Sequence, residues 1–173
     1  MTDRLAIAVG GLGYPIQQFI PHEFQHFVPI KTGWRLGGLH SLIEHHKGPI
    51  TLLGFSWGAE IVIRASLQYA DKNIDRVIAH SPGKGVLQRH HAFGPQNCEY
   101  KFLVTTGDKV CYAPTKSLFE YFSEKHKTEF KEFPFNEDRI EENIPWVIQK
   151  FMIKNNHQFV NAISYLKEIN WGL

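Results

Sequence analysis

The pentapeptide Gly54-Phe55-Ser56-Trp57-Gly58 stands between the apolar run Pro49-Ile50-Thr51-Leu52-Leu53 and the stretch Ala59-Glu60-Ile61-Val62-Ile63-Arg64-Ala65. The second stretch is apolar on one face at helical spacing, so the order predicts a buried strand, a sharp turn and a helix, with a serine at the apex. The flanking glycines let the two elements approach closely, and the apical residue takes a strained backbone that lifts its hydroxyl clear of its neighbours. Taken alone, the five-residue pattern arises by chance in roughly one chain of this length in twenty. The strand before it and the helix after it give it weight.

The rest of the chain repeats that alternation. Strands are expected from Leu5 to Val9, His26 to Ile30, Ile50 to Phe55, Ile74 to His80, Tyr100 to Thr106 and Thr128 to Phe135. Helices are expected from Leu36 to His46, Trp57 to Ala70 and Pro114 to His126, with a helical tail after Pro145. Ile50-Thr51-Leu52-Leu53 and Phe102-Leu103-Val104 are continuously rather than alternately apolar, as a parallel strand covered on both faces requires. The expected class is therefore α/β: one three-layer domain over residues 1–173, with a mainly parallel sheet of about six strands and helices on both faces. Ligands bind such sheets in the crevice at the carboxyl ends of the strands.

Composition narrows the function classes. The net charge is +2 and no basic cluster exceeds two residues, so nucleic acid is not an expected partner. No apolar stretch reaches the roughly 18 residues of a membrane span, and the short apolar run after Asp3 and Arg4 lacks a cleavage region, which predicts a cytoplasmic protein without a membrane span. Cys98 and Cys111 read as reduced thiols without metal-site spacing, and no cofactor or metal is implied.

At this point the chain resembles the α/β-hydrolase family, over nearly its whole length. Ile7-Ala8-Val9-Gly10-Gly11-Leu12-Gly13 is similar to the family's third strand and oxyanion loop, with Gly10 where the family carries a histidine. Leu36-Gly37-Gly38-Leu39 to His46 resembles the helix before the elbow, and Val77-Ile78-Ala79-His80-Ser81-Pro82 the strand after it. Val104-Thr105-Thr106-Gly107-Asp108, followed by Val110 and Pro114, is similar to the strand and turn that carry the catalytic acid. The resemblance implies a trimmed hydrolase without a large cap, a serine hydrolase acting on an ester or thioester of a small-molecule acyl substrate through a covalent acyl-enzyme.

Each position then has an expected role. Ser56 is the nucleophile and needs a base to take its proton. The backbone N–H of Trp57, with that of Gly11 or Leu12, faces the charge that develops on the substrate carbonyl. Asp108 orients the base and stabilises its imidazolium. Gly10 to Gly13 also admits reading as a phosphate-binding turn, but it lacks the dinucleotide spacing and the P-loop lysine.

The base is harder to place, because no histidine follows Phe133-Pro134-Phe135, where the family has it. Strand and helix alternation sorts the ten histidines by sheet edge. His22, His26, His45, His46 and His126 precede strands and fall at the wrong edge. His157 follows a helix that starts no earlier than about Asn143, and ten helical residues descending about 15 Å carry it away from Ser56 unless the tail folds back. His40, His80, His90 and His91 remain. His80, at the end of the strand beside the elbow, is the expected base, with His90 and His91 on a following loop as alternatives. A second reading is a hydrolase-like scaffold without a competent base that binds a small molecule or a protein. Phe19, Phe24, Phe27 and Phe93 either line the crevice or pack the domain, and the stripe Trp146, Ile148, Phe151, Phe159 and Ile163 is expected to cover one sheet face.

Overall fold

The computed structural model describes residues 3–11, 16, 26–28, 37–85, 93–139 and 144–169. The short apolar segments form six strands, β1 (Leu5–Val9), β2 (His26–Val28), β3 (Ile50–Phe55), β4 (Ile74–His80), β5 (Glu99–Thr105) and β6 (Thr128–Phe133). They pair in the order β2-β1-β3-β4-β5-β6, and every neighbouring pair is parallel. All six strands therefore end at the same edge. The helices are α1 (Gly37–His45), α2 (Trp57–Gln68), α3 (Tyr112–Ser123), α4 (Trp146–Asn155) and α5 (Ile163–Glu168), with a single 3-10 turn at Val160–Ala162 before α5.

Successive strand side chains point to opposite faces, so continuously apolar strands fill two cores at once. On one face Ile7, Leu52, Val77 and Phe102 pack with Leu39 and Ile43 of α1, Val62 of α2 and Phe122 of α3. On the other, Ala8, Leu53, Ile78 and Leu103 pack with Phe159, Ile163 and Leu166. Tyr100 stacks on Phe122 with ring centroids 4.3 Å apart, and its hydroxyl meets Ser66 Oγ at 2.8 Å, so no buried polar atom is left unpaired there.

The expected C-terminal stripe divides. Phe159 and Ile163 are buried on the sheet, whereas Trp146 and Phe151 stay exposed on α4. The cause is Asn156, whose left-handed backbone (φ 52°, ψ 39°) ends α4 after Asn155. The segment is thus two helices with separate faces, not one long helix.

Candidate active site

Ser56 joins β3 to α2 with φ 56° and ψ −115°, a conformation costly for a residue with a Cβ. Its N–H donates to the His80 carbonyl (2.8 Å), and its own carbonyl accepts from the N–H of Ala59 (3.1 Å), the first bond of the helix. Two glycines make the bend possible. A Cβ on Gly54 would lie 2.3 Å from the Gly58 oxygen, and one on Gly58 would lie 2.1 Å from the Val9 oxygen. Strand β1, strand β3 and helix α2 thus meet backbone to backbone. Gly11 follows β1, and a Cβ there would contact Ser56 Cβ at 3.4 Å. Trp57 is the first residue of α2, where helix N–H groups and the positive end of the macrodipole favour negative charge. Leu12, like His90, His91, Phe19 and Phe24, lies outside the described residues.

Asp108 follows β5 through Gly107, whose φ of 77° suits a residue without a Cβ. Its Oδ1 accepts from the N–H of Val110 (2.9 Å) and Cys111 (2.8 Å), and its Oδ2 meets His157 Nδ1 at 2.7 Å. Burial pushes this carboxyl up. The hydrogen bond and charge of His157, with the two N–H groups, outweigh burial and hold it below the usual carboxylate range. An ionised carboxylate only accepts, so Nδ1 of His157 carries the proton in this bond.

His157 was expected at the far edge, and the structure places it in the cleft. Helix α4 does not descend a sheet face. Its end is tied to the turn after Asp108, with Lys109 N–H donating to the Asn155 carbonyl (2.9 Å) and Lys109 Nζ to the Lys154 carbonyl (3.0 Å). Asn156 then reverses the chain and delivers His157 to Asp108. The loop is held in place by Gln158, a buried side chain whose amide donates to the carbonyls of Asn136 (3.0 Å) and Arg139 (2.8 Å) and accepts from the Asn136 N–H (2.8 Å). The one sequence signal that pointed here is Asn155-Asn156, since asparagine is a common left-handed helix terminator.

His80 reaches the same edge but is differently engaged. It is buried against Phe55, Phe133 and Phe159, with Nδ1 2.9 Å from Ser81 Oγ and Nε2 3.4 Å from Asn161 Oδ1. Asp108, the residue meant to orient the base, is bonded by His157 instead. Burial, and then the charge of His157, lower the His80 pKa from 6.5 to about 3. An unfolded histidine takes up its proton near 6.5, so below that pH the unfolded chain binds more protons than the folded one. This contribution to stability is complete above pH 6.5 and is lost as pH falls toward 3. Its size is on the order of 5 kcal/mol. Urea unfolding at stepped pH is expected to show His80→Asn with a shallower loss between pH 6.5 and 4 than the parent chain. Equal slopes would remove His80 as the source.

His40 hydrogen-bonds Tyr69, just past the far end of α2 (2.8 Å), His45 bonds the Ser41 carbonyl (2.8 Å), and His126 bonds the Phe93 carbonyl. None of these three belongs to the cleft around Ser56. Among the described residues, one group of donor atoms has metal-site proximity: Asp108, Cys111 and His157, all within 4.8 Å. Both Asp108 oxygens are already engaged, and burial with the Asp108 charge raises the Cys111 pKa and keeps its thiol protonated. That chemistry fits an acid and imidazole pair better than a metal site.

Ser56 and His157 line one cleft of about 370 Å³, whose walls are Gly11, Phe55, Trp57, Val147, Ile148, Phe151 and Met152. Apart from Ser56 and His157 its surface is apolar. Ser56 and Trp57 also border a second hollow of about 410 Å³, with Glu60, Arg64, Gly83 and Gly85 along it.

No protein-family model and no curated protein matches the chain. Solved structures do. Atu2452 from Agrobacterium tumefaciens, a protein of unknown function, superposes with a TM-score of 0.57 at 16% identity, over 89% of this chain and 92% of that one. The Pyrococcus furiosus esterase PF2001 gives 0.53 at 15% identity, over 77% and 74%. Human thioesterase 2 gives 0.50 at 11% identity, over 97% and 99%. With the strand order and the strand-serine-helix elbow, these likenesses identify the fold as that of the α/β-hydrolases.

Proposed function

We propose that this protein is a serine hydrolase that cleaves an ester or thioester of an apolar acyl group through a covalent acyl-enzyme. The observation that carries this reading is the His157 and Asp108 pair opening onto the same cleft as the strained Ser56. Ser56 Oγ attacks the substrate carbonyl carbon while His157 Nε2 takes its proton. Asp108 stabilises the resulting imidazolium. The oxyanion rests against the Trp57 N–H at the start of α2 and the backbone at Gly11; one such donor typically contributes about 2.7 to 4 kcal/mol. His157 then returns the proton to the leaving alkoxide or thiolate. Water, deprotonated by the same imidazole, attacks the acyl-enzyme and frees the acid and Ser56. The apolar walls suit a short acyl chain, and the Glu60 and Arg64 hollow suits a more polar portion of the substrate.

In this reading His157 replaces His80 as the base, because an imidazole whose pKa is held near 3 is too weak to take a serine proton at neutral pH. The alternative, a scaffold without a base, drew its support from the missing histidine after Phe135. A histidine paired with the acid removes that support. A fluorophosphonate probe is expected to label the folded protein once, on Ser56, and Ser56→Ala to abolish labelling. A folded protein that stays unlabelled at neutral and mildly alkaline pH would return the scaffold reading.

A further inference from the structure

The polar side chains behind His157 form one directed chain of hydrogen bonds. Asn161, on the 3-10 turn that follows His157, spends its two amide hydrogens on Thr105 Oγ1 (2.9 Å) and on the Pro134 carbonyl (3.1 Å). Its Oδ1 faces His80 Nε2 at 3.4 Å, and an amide oxygen only accepts, so that nitrogen carries the His80 proton. Burial keeps the His80 ring neutral, which leaves Nδ1 as an acceptor for the Ser81 hydroxyl (2.9 Å). At the other end Thr105 accepts from Asn161 and donates its own hydrogen to the Gln158 carbonyl (3.1 Å), one residue past the imidazole. The order from donor to acceptor is Ser81, His80, Asn161, Thr105, Gln158. The backbone of the same residues holds the other reacting groups: the His80 carbonyl accepts from the Ser56 N–H (2.8 Å), and the Thr105 carbonyl from the Asp108 N–H (3.0 Å). Thr105 thus grips the acid through its main chain and the neighbour of the base through its side chain.

We propose that Thr105 and Asn161, backed by His80, are positioning residues that hold the His157 imidazole on Asp108. On its other side His157 is tied to α4, where its N–H donates to the Met152 carbonyl (2.9 Å) after the left-handed Asn156. A reversal at a single residue leaves the following peptide free to pivot, and the bond from Thr105 to Gln158 removes that freedom. Both Thr105 and Gln158 are fully buried, so breaking the bond strands a carbonyl without water to replace its donor. A base displaced by about 1 Å keeps its chemistry but loses its alignment, which costs up to about 10²-fold in rate. None of the three residues lines the cleft, so their effect falls on kcat and spares substrate binding. The consequence for turnover rests on the hydrolase reading, whereas the hold on His157 does not.

The test uses the full chain. Thr105→Val keeps the side-chain shape and removes the hydroxyl, and Asn161→Leu removes the amide. Each is expected to lower kcat for nitrophenyl butyrate at least about tenfold with KM within about twofold, and Thr105→Ser, which restores the hydroxyl, to stay within about threefold of the parent. Ser66→Ala is the control for lost stability: it deletes a buried hydroxyl bonded to Tyr100, ten residues or about 15 Å along α2 from Ser56, and its kcat is expected to be unchanged. The pair itself is read by proton NMR. The downfield resonance of the His157 Nδ1–H, assigned by its loss in His157→Ala, is expected in the parent and in Thr105→Ser, and to move upfield or exchange away in Thr105→Val and Asn161→Leu. Should Thr105→Val fail to fold, Asn161→Leu decides, since that position is only half-buried. An unchanged resonance in the folded variants would overturn the proposal, as would a parent without the resonance. So would variants within about threefold of an active parent, or a loss that Ser66→Ala matches or Thr105→Ser fails to restore. A parent with the resonance but no turnover sinks the hydrolase reading alone, and the resonance in the variants then decides the hold on His157.

Discussion

His157→Ala is expected to lower the turnover of nitrophenyl butyrate by about 10³-fold or more, nearly as far as Ser56→Ala, with the double variant scarcely slower than either single one. In the proposed mechanism the serine proton has nowhere to go without the imidazole, and an imidazole without the serine has nothing to activate, so the two would act as one unit. A residue of activity should persist in all three if the proposed oxyanion hole is present, since such a hole with substrate binding gives about 10³-fold to 10⁴-fold over water. His80→Asn is the informative comparison. It removes a ring packed on Phe55 and Phe159 but leaves the bond between His157 and Asp108 intact, so its effect should be small beside that of His157→Ala. Should His80→Asn cause the large loss while His157→Ala stays within about threefold, the proton goes to His80 and the proposed base is wrong.

The largest effect on stability is expected from Gly58→Ala. The added methyl would stand 2.1 Å from the Val9 oxygen and 2.6 Å from the Gly10 oxygen. Both are backbone atoms, fixed by the strand and unable to swing aside. Relief requires α2 to move off β1, which opens the core around Ala59 and Val62. We expect a loss of at least about 3 kcal/mol, seen as a fall in Tm of about 6 to 12 °C, together with loss of fluorophosphonate labelling. Gly38→Ala is the control, because nothing lies within 4 Å of its added methyl on α1. There the better helix former should be neutral or stabilising by up to about 1 kcal/mol. A Gly58→Ala protein melting within about 2 °C of the parent would mean that the close approach is not a constraint on this fold.

Where sequence reading reached the structure, the information was local. The elbow is written in five residues because the strain at Ser56 and the closeness of Gly54 and Gly58 to backbone are settled within a few bonds of each other. The strands were legible because a residue run apolar at every position has no soluble face and must lie in the middle layer. Asp108 was legible as far as its turn, since Gly107 and the two N–H groups it meets are its neighbours in the chain.

The histidine was not local. His157 meets Asp108 across 49 residues, and the bond depends on which way α4 runs. Sequence gives the length of a ten-residue helix but not its direction, which here is decided by Lys109 holding its carboxyl end beside Asp108. The left-handed residue Asn156 then sends the chain back toward the site. His80 illustrates the converse: the chain order alone placed it at the proper edge, between the strands that end at Ser56 and near Asp108. Only the packing of Phe55, Phe133 and Phe159 around it, and its bonds to Ser81 and Asn161, decided that its ring faces the interior. Sequence by itself determined the sheet, the elbow and the edge where chemistry belongs, because backbone sterics and the alternation of side chains act over a few residues. Tertiary structure decided which imidazole meets the acid, because that depends on where distant segments pack.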